Sequence, residues 1–267
     1  MTDTLAVDFT MNGRRVSFKL ARDPRSMTDL AIINQLQHYG MCEPEVVQIM
    51  TRAVRPGDTV VDGGANVGFF SLLLARLVGD KGAVYAYEPD AKNCERLTAS
   101  NLASGRLPWI KLFRRALWSR KDKAVLNLSP DNGQHSVGAV EGMTGSVVID
   151  TTVLDEIEVT PRLIKLDIEG AEEQALRGAE RHLAAQACPY IIVELNLKAM
   201  KALNSTQEGL RHFMYGFGYA TFLLHKDGSY PAQVPLGTEI RPVFANCNIL
   251  FSTPKNVAEL YPTTGIT

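Results

Sequence analysis

Apolar residues along the chain fall into short runs that alternate with amphipathic stretches of helical period. The first clear run, Thr59-Val60-Val61-Asp62, ends in Gly63-Gly64, and the spacing over residues 69–78 predicts a helix behind it. Gly79-Asp80-Lys81-Gly82 reads as a turn, and residues 83–87 as a second strand. The pattern then predicts a helix over Asp90 to Ser104, with Cys94, Leu97 and Leu102 facing inward, and a third strand at 109–114. A pair of strands at about 123–128 and 146–150 brackets a loop rich in Gly, Ser and Asn from Ser129 to Gly145. Beyond it the pattern predicts strand 163–166, helix 171–185, strand 190–194, helix 207–217, and strands 219–224 and 246–251.

Strands separated by helical patterns imply βαβ crossovers, and hence an α/β fold with a doubly wound, mostly parallel sheet. The last two strands lack a clear helical pattern between them, so an antiparallel member is expected at one edge. Residues 1–55 read as an appendage. Residues 5–9 and 14–20 suggest a hairpin around Asn12-Gly13, and Glu45, Val46, Val47, Ile49 and Met50 give a helical stripe after Pro44. Pro56-Gly57-Asp58 punctuates the chain before the main domain, residues 56–267.

Composition narrows the class. The 267 residues are 45% hydrophobic and 21% charged, an ordinary globular balance. A net charge of -1 provides no global pull toward nucleic acid. Cys42, Cys94, Cys188 and Cys247 form no C-x-x-C pair, which argues against zinc and against a disulfide framework. No basic, apolar leader opens the chain and no run is long enough to span a membrane. Cytoplasmic residence, without membrane association, is the expectation; oligomeric state is not legible.

Candidate chemistry begins at the turn after the first strand, Asp62-Gly63-Gly64-Ala65-Asn66-Val67-Gly68. Glycines there let the backbone turn sharply and approach a ligand. Twenty residues past Gly68, at the tip of the second strand, Glu88 is positioned to accept hydrogen bonds from a ribose diol. A dinucleotide site wants G-x-G-x-x-G, but the middle position here is Ala65. The acid at Asp62 would repel a pyrophosphate and would suit the amino group of a methionine moiety. S-adenosylmethionine is therefore the expected cofactor, yielding S-adenosylhomocysteine.

A second cluster, Lys165-Leu166-Asp167-Ile168-Glu169-Gly170-Ala171-Glu172, places charge at the C-terminal mouth of a buried strand, where open α/β sheets bind ligands. Asp167 and Glu169 are candidates for function, whereas Glu172 reads as support for a helix N-terminus.

These residues resemble the FkbM family of methyltransferases. The likeness rests on Asp62-x-Gly64-Ala65-Asn66-x-Gly68-x-x-Ser71, on Glu88-Pro89-x-x-x-Asn93-x-x-x-Leu97-x-x-x-Asn101, on Ala116-Leu117, and on Lys165-x-Asp167-x-Glu169-Gly170-x-Glu172. It spans roughly residues 40–225, and the last motif is the most diagnostic. The resemblance implies a class I, Rossmann-like methyltransferase fold and O-methylation of a hydroxyl on a sugar, polyketide or other secondary metabolite. It also implies roles. Asp62, Gly64, Ala65, Asn66, Gly68 and Ser71 would form the methionine-side loop, and Glu88 would bind the ribose with Pro89 and Asp90 beside the adenosine. Ala116 and Leu117 would line the adenine edge, and Asp167 and Glu169 would face sulfonium and acceptor. Trp118 departs from the family, which often has a small or polar residue there.

Methyl transfer from a sulfonium is an in-line displacement in which the protein aligns acceptor oxygen, methyl and sulfur. An alcohol must lose its proton near the transition state, so a general base helps. Asp167, Glu169, His135 and Glu194 are the candidates, and His135 belongs to a loop, Gln134-His135-Ser136, able to fold over the site. Tyr39 and Glu43 precede the core, where they would cap either the cofactor pocket or the fold itself. Asp167, Glu169 and Glu194 would also make an oxygen-ligand set for magnesium, but Lys165 and the resemblance argue against a metal. Two other readings stand beside the small-molecule or glycoside acceptor. One is an RNA methyltransferase using basic residues such as Lys111, Arg114, Arg115, Arg120, Lys121 and Lys123; the other is a non-catalytic module keeping the fold.

Overall fold

The computed structural model describes residues 3–129, 135–138, 142–242 and 246–262. Thr4–Met11 (β1) and Arg14–Ala21 (β2) pair antiparallel around Asn12-Gly13, whose φ angles are both positive as a tight hairpin turn requires. Helix Met27–Tyr39 (α1) follows, capped by the Ser26 side chain, and then Pro44–Ala53 (α2). Thr59–Gly63 (β3), Phe69–Val78 (α3), Ala83–Tyr87 (β4), Ala91–Ala103 (α4) and Ile110–Phe113 (β5) form the first half of the main sheet and its crossovers. Ala116–Leu117 (β6), Lys123–Leu128 (β7) and Gly145–Thr152 (β8) make a separate three-stranded sheet. Then come Leu163–Leu166 (β9), Glu172–Arg177 (α5), Glu180–Ala184 (α6), Tyr190–Asn196 (β10), Leu197–Ala202 (α7) and Gln207–Gly216 (α8). Ala220–Leu223 (β11), Ala232–Val234 (β12), Asn246–Ser252 (β13) and Pro254–Leu260 (α9) close the described chain.

The main sheet has the order β12-β11-β13-β10-β9-β3-β4-β5. Pairings from β10 through β5 are parallel, because helical crossovers return each strand in the same direction. β13 runs antiparallel between β10 and β11, and β12 is antiparallel to β11 at the edge, so the expected antiparallel region lies at this end. The order reverses at β3 and β9, whose C-terminal tips open the crevice used by ligands in such sheets.

The appendage is packed into the fold. Val7, Phe9, Val16 and Phe18 of the hairpin belong to one buried cluster with Leu72 and Leu73 of α3 and Val46 and Ile49 of α2. Arg14 locks the join, its guanidinium donating to the carbonyls of Val54 and Leu77.

Two expectations are corrected. Leu102 is 61% exposed, because the inward face of α4 runs through Asn93, Leu97 and Ser100 and Leu102 lies away from it, while Leu97 is buried as foreseen. The helix foreseen over 171–185 breaks into α5 and α6, since the Gly178 carbonyl accepts from Asp155 N at 2.8 Å. A Cβ at Gly178 would also lie 2.1 Å from the Trp118 carbonyl oxygen. Among the described residues no helix is long and apolar enough to cross a membrane.

Candidate active site

A cleft of about 320 Å³ opens over the tips of β3, β4, β9 and β10. Its floor is the turn after β3. Gly64, with φ +80, lies so close to β9 that a Cβ there would sit 1.8 Å from the Asp167 carbonyl oxygen. Asn66 is also left-handed (φ 49), and its backbone N–H donates to Glu88 Oε2 at 2.8 Å. Asp90 N donates to Glu88 Oε1 at 2.9 Å, so one carboxylate ties together the turn after β3 and the start of α4. Burial pushes the Glu88 carboxyl up to about 7, although both backbone donors favour its charge.

Gly64, Ala65, Asn66, Glu88, Pro89, Ala116 and Leu117 all line the cleft. Asp62, Gly68, Ser71 and Asp90 are placed behind that surface and shape it. The Ser71 hydroxyl donates to Asp62 Oδ2 at 2.6 Å, and Asp62 Oδ1 is buried with no hydrogen-bond partner among the described residues. Gly68 opens α3 at φ +99 and packs on Leu97, while Asp90 caps α4 by accepting from Asn93 N. From there Asp62 would reach a ligand in the cleft only through its field. Its own carboxyl is raised by burial, against the opposing pull of Lys165.

The opposite end is built from the second motif. Lys165 is 2% exposed, 3.1 Å from Asp167 Oδ2, with its ammonium 4.5 Å above the Phe70 ring. Burial alone would push this ammonium down, but Asp167, Glu43 and Asp62 outweigh that and hold it above the ordinary lysine range. Replacing it with methionine strands those carboxylates, so Lys165→Met is expected to lower stability by about 3 kcal/mol in urea unfolding. Unchanged stability would mean that the acids relax without it.

Glu169 turns into the cleft at φ 53, its Oε2 accepting from Asn196 Nδ2 at 2.9 Å. Gly170 follows at φ +94, where a Cβ would lie 2.4 Å from the Ala199 backbone. Glu172 serves this turn, accepting from Ile168 N and Gly170 N, and burial raises its carboxyl to about 7. Glu194, at the tip of β10, accepts from Asn246 Nδ2, and burial followed by Asp167 and Glu43 raises it well above the usual range.

Oxygens of Asp167, Glu169 and Glu194 lie within 4.8 Å of one another, a spacing that a divalent cation can bridge. Each of the three already takes a protein donor: Lys165, Asn196 and Asn246 respectively.

His135 lies at the Glu88 end, 9% exposed at its side chain, with Nε2 3.9 Å from Asp90 Oδ2 and Nδ1 accepting from Ser129 N. Ser136 Oγ donates to the Glu169 carbonyl, so this segment crosses the cleft from β4 to β9. Gln134 lies outside the described residues.

Several lining residues went unforeseen. Thr28, Ala31, Ile32 and Gln35 present one face of α1 to the cleft at helical spacing. Asn196 was detectable, since it follows Glu194 by two residues and shares its face at a strand tip. Tyr39 is not on the cleft wall, whereas Glu43 is.

A cradle of close backbone, a buried acid at the second strand tip and an apolar slot between Pro89 and Leu117 suits a nucleoside. The orphaned Asp62 oxygen and the acids beyond it suit a cationic methionine moiety. S-adenosylmethionine thus fits the residues present.

Comparison with solved structures finds the methyltransferase FkbM from Methylobacillus flagellatus KT, 21% identical, covering 86% of this chain and 55% of that one, with TM-score 0.46. This chain therefore spans about half the length of that protein. A SAM-dependent methyltransferase from Aquifex aeolicus is 17% identical over 86% of this chain and 98% of that one, TM-score 0.45. Aeropyrum pernix fibrillarin, in complex with natively bound S-adenosyl-L-methionine, is 12% identical over 92% and 81%, TM-score 0.43. Comparison with curated proteins found no match. The family model described as the methyltransferase FkbM domain matches residues 62–221, from the acid at the end of β3 to β11. With more than half of its length inside that model, the chain belongs to the FkbM family of class I methyltransferases, whose methyl donor is S-adenosylmethionine.

Proposed function

We propose that the chain methylates a hydroxyl of a small-molecule or glycosidic acceptor, with S-adenosylmethionine as donor. The observation that carries this reading is the polarity of the cleft: Glu88 and an apolar slot at one end, Glu43, Asp167, Glu169 and Glu194 at the other. Adenosine at the first end would direct the sulfonium toward the carboxylates, which favour its charge before transfer. Asn196 and Asn246 beside those acids offer amide hydrogen bonds suited to a polyhydroxylated acceptor.

The same acids argue against nucleic acid, because a phosphate backbone entering that end meets four carboxylates and one buried lysine. All four cysteines are free thiols, which fits a reducing compartment, so cytoplasmic residence belongs to this reading.

Incubation with donor labelled in its methyl group and a panel of glycosides, polyketides and RNA tests it. Label is expected in a neutral polyhydroxylated acceptor. Label confined to RNA would sink the proposal.

A further inference from the structure

We propose that Glu43, contributed by the N-terminal segment, is the group that removes the proton from the acceptor hydroxyl. The inference rests on the proposed O-methylation and deepens it.

Three anchors aim this side chain. Its backbone is left-handed, at φ 45 and ψ 68, immediately before Pro44 opens α2. Its N–H donates to Gln35 Oε1 of α1 at 2.8 Å. Its Oε2 accepts from Asn248 Nδ2 of β13 at 3.1 Å. Among the described residues no donor lies within hydrogen-bond distance of Oε1, and the residue stands on the cleft wall with Asp167, Glu169 and Glu194. A carboxylate held at one oxygen and open at the other is arranged as a base.

The other candidates each have an engagement of their own, and none is fixed by the main-chain turn and cross-element bonds that aim Glu43. Asp167 is ion-paired with Lys165. Glu169 is held by Asn196, and Glu194 by Asn246. His135 is directed at Asp90, at the adenosine end and away from the transferring methyl.

Charged and titratable neighbours set the proton affinity of Glu43. They are Lys165 from β9 and Asp167 just past its end, Glu194 from β10, Glu45 from α2 and the adjacent Cys42. Burial dominates, and together with Asp167 and Glu45 it raises the carboxyl above the usual range despite Lys165 and Asn248. A base poised nearer neutrality transfers protons more effectively than an ordinary carboxylate.

The step balances without any further reagent. The acceptor O–H bond breaks and its proton passes to Glu43 Oε1. The oxygen forms a bond to the methyl carbon, and the C–S pair returns to sulfur, leaving a neutral thioether and a protonated carboxyl.

The test compares wild type with Glu43→Gln and Glu43→Asp on whichever acceptor the labelled panel identifies. Melting curves and calorimetry with S-adenosylmethionine run alongside. Glu43→Gln should keep its melting temperature and donor Kd and lose about 100-fold or more in kcat. It should also lose the rise of kcat with pH expected of wild type, and Glu43→Asp should recover part of both. A Gln variant with wild-type kcat and an unchanged pH profile overturns the proposal. Weakened donor binding with kcat preserved also overturns it, by moving Glu43 to the donor's amino group. Wild type that binds donor but labels no hydroxyl acceptor fails one step earlier, at the proposed reaction, and the inference falls with it.

Discussion

Gly64→Ala is expected to weaken S-adenosylmethionine binding by about 100-fold, which corresponds to roughly 3 kcal/mol. Two independent costs meet at this position. The backbone is at φ +80, which an L side chain adopts only with strain of order 1–3 kcal/mol. The added methyl would also occupy the position of the Asp167 carbonyl oxygen, a backbone atom just past the end of β9 that cannot rotate away as a side chain could. Either the turn after β3 or the tip of β9 has to move, and both line the cleft. Calorimetry of donor binding, with urea unfolding alongside, separates the local effect from loss of fold. Wild-type affinity in a folded Ala variant would mean that the turn does not approach the ligand.

The second large effect is a pH dependence centred on Glu88. Its carboxyl lies near 7 in the folded chain against an ordinary value of 4.5, mainly because it is buried. The sign follows from linkage: a raised acid makes the folded state bind the extra proton between those values. Stability from this group is thus full below about 4.5 and is lost as pH rises through about 7. Donor binding has the opposite slope, because ribose hydroxyls donate best to the ionised carboxylate. Affinity for S-adenosylmethionine should therefore rise from pH 6 to 8 and level off above. Glu88→Gln should flatten that rise and weaken binding about 30-fold, from loss of charge-assisted hydrogen bonds worth about 2 kcal/mol. The amide would also present a donor to Asn66 N or Asp90 N, so part of the loss comes from the turn it fastens. A profile equally steep in the Gln variant would assign the titration to another acid.

Legibility in the sequence tracked the source of each signal. Strands such as β4 and β9 and helix α3 were foreseen to the residue, because buried apolar runs and glycine turns mark them directly. Helix α1 was missed for a physical reason. Its cleft-lining face, Thr28, Ala31, Ile32 and Gln35, is half polar and only Ile32 of it joins the buried cluster, while Met27 and Leu30 point outward. The strand β12 is short and lacks an apolar face, with Ala232 and Gln233 both exposed. In the site, Gly64, Glu88 and Asp167 were legible from spacing. That Asp62 and Ser71 bond to each other behind the cleft was not, since spacing places residues on a turn without saying which way they face.

The N-terminal segment carries two obligations that are separable residue by residue. Val7, Phe9, Val16 and Phe18 sit in the buried cluster with α3, whereas Thr28, Ala31, Gln35 and Glu43 form a wall of the cleft. Exchange at the first set forfeits packing, whereas exchange at Thr28, Ala31 or Gln35 changes the surface that faces the cleft. On the proposed O-methylation, acceptor preference would drift through a few positions of α1, with the turn after β3 and Glu88 untouched.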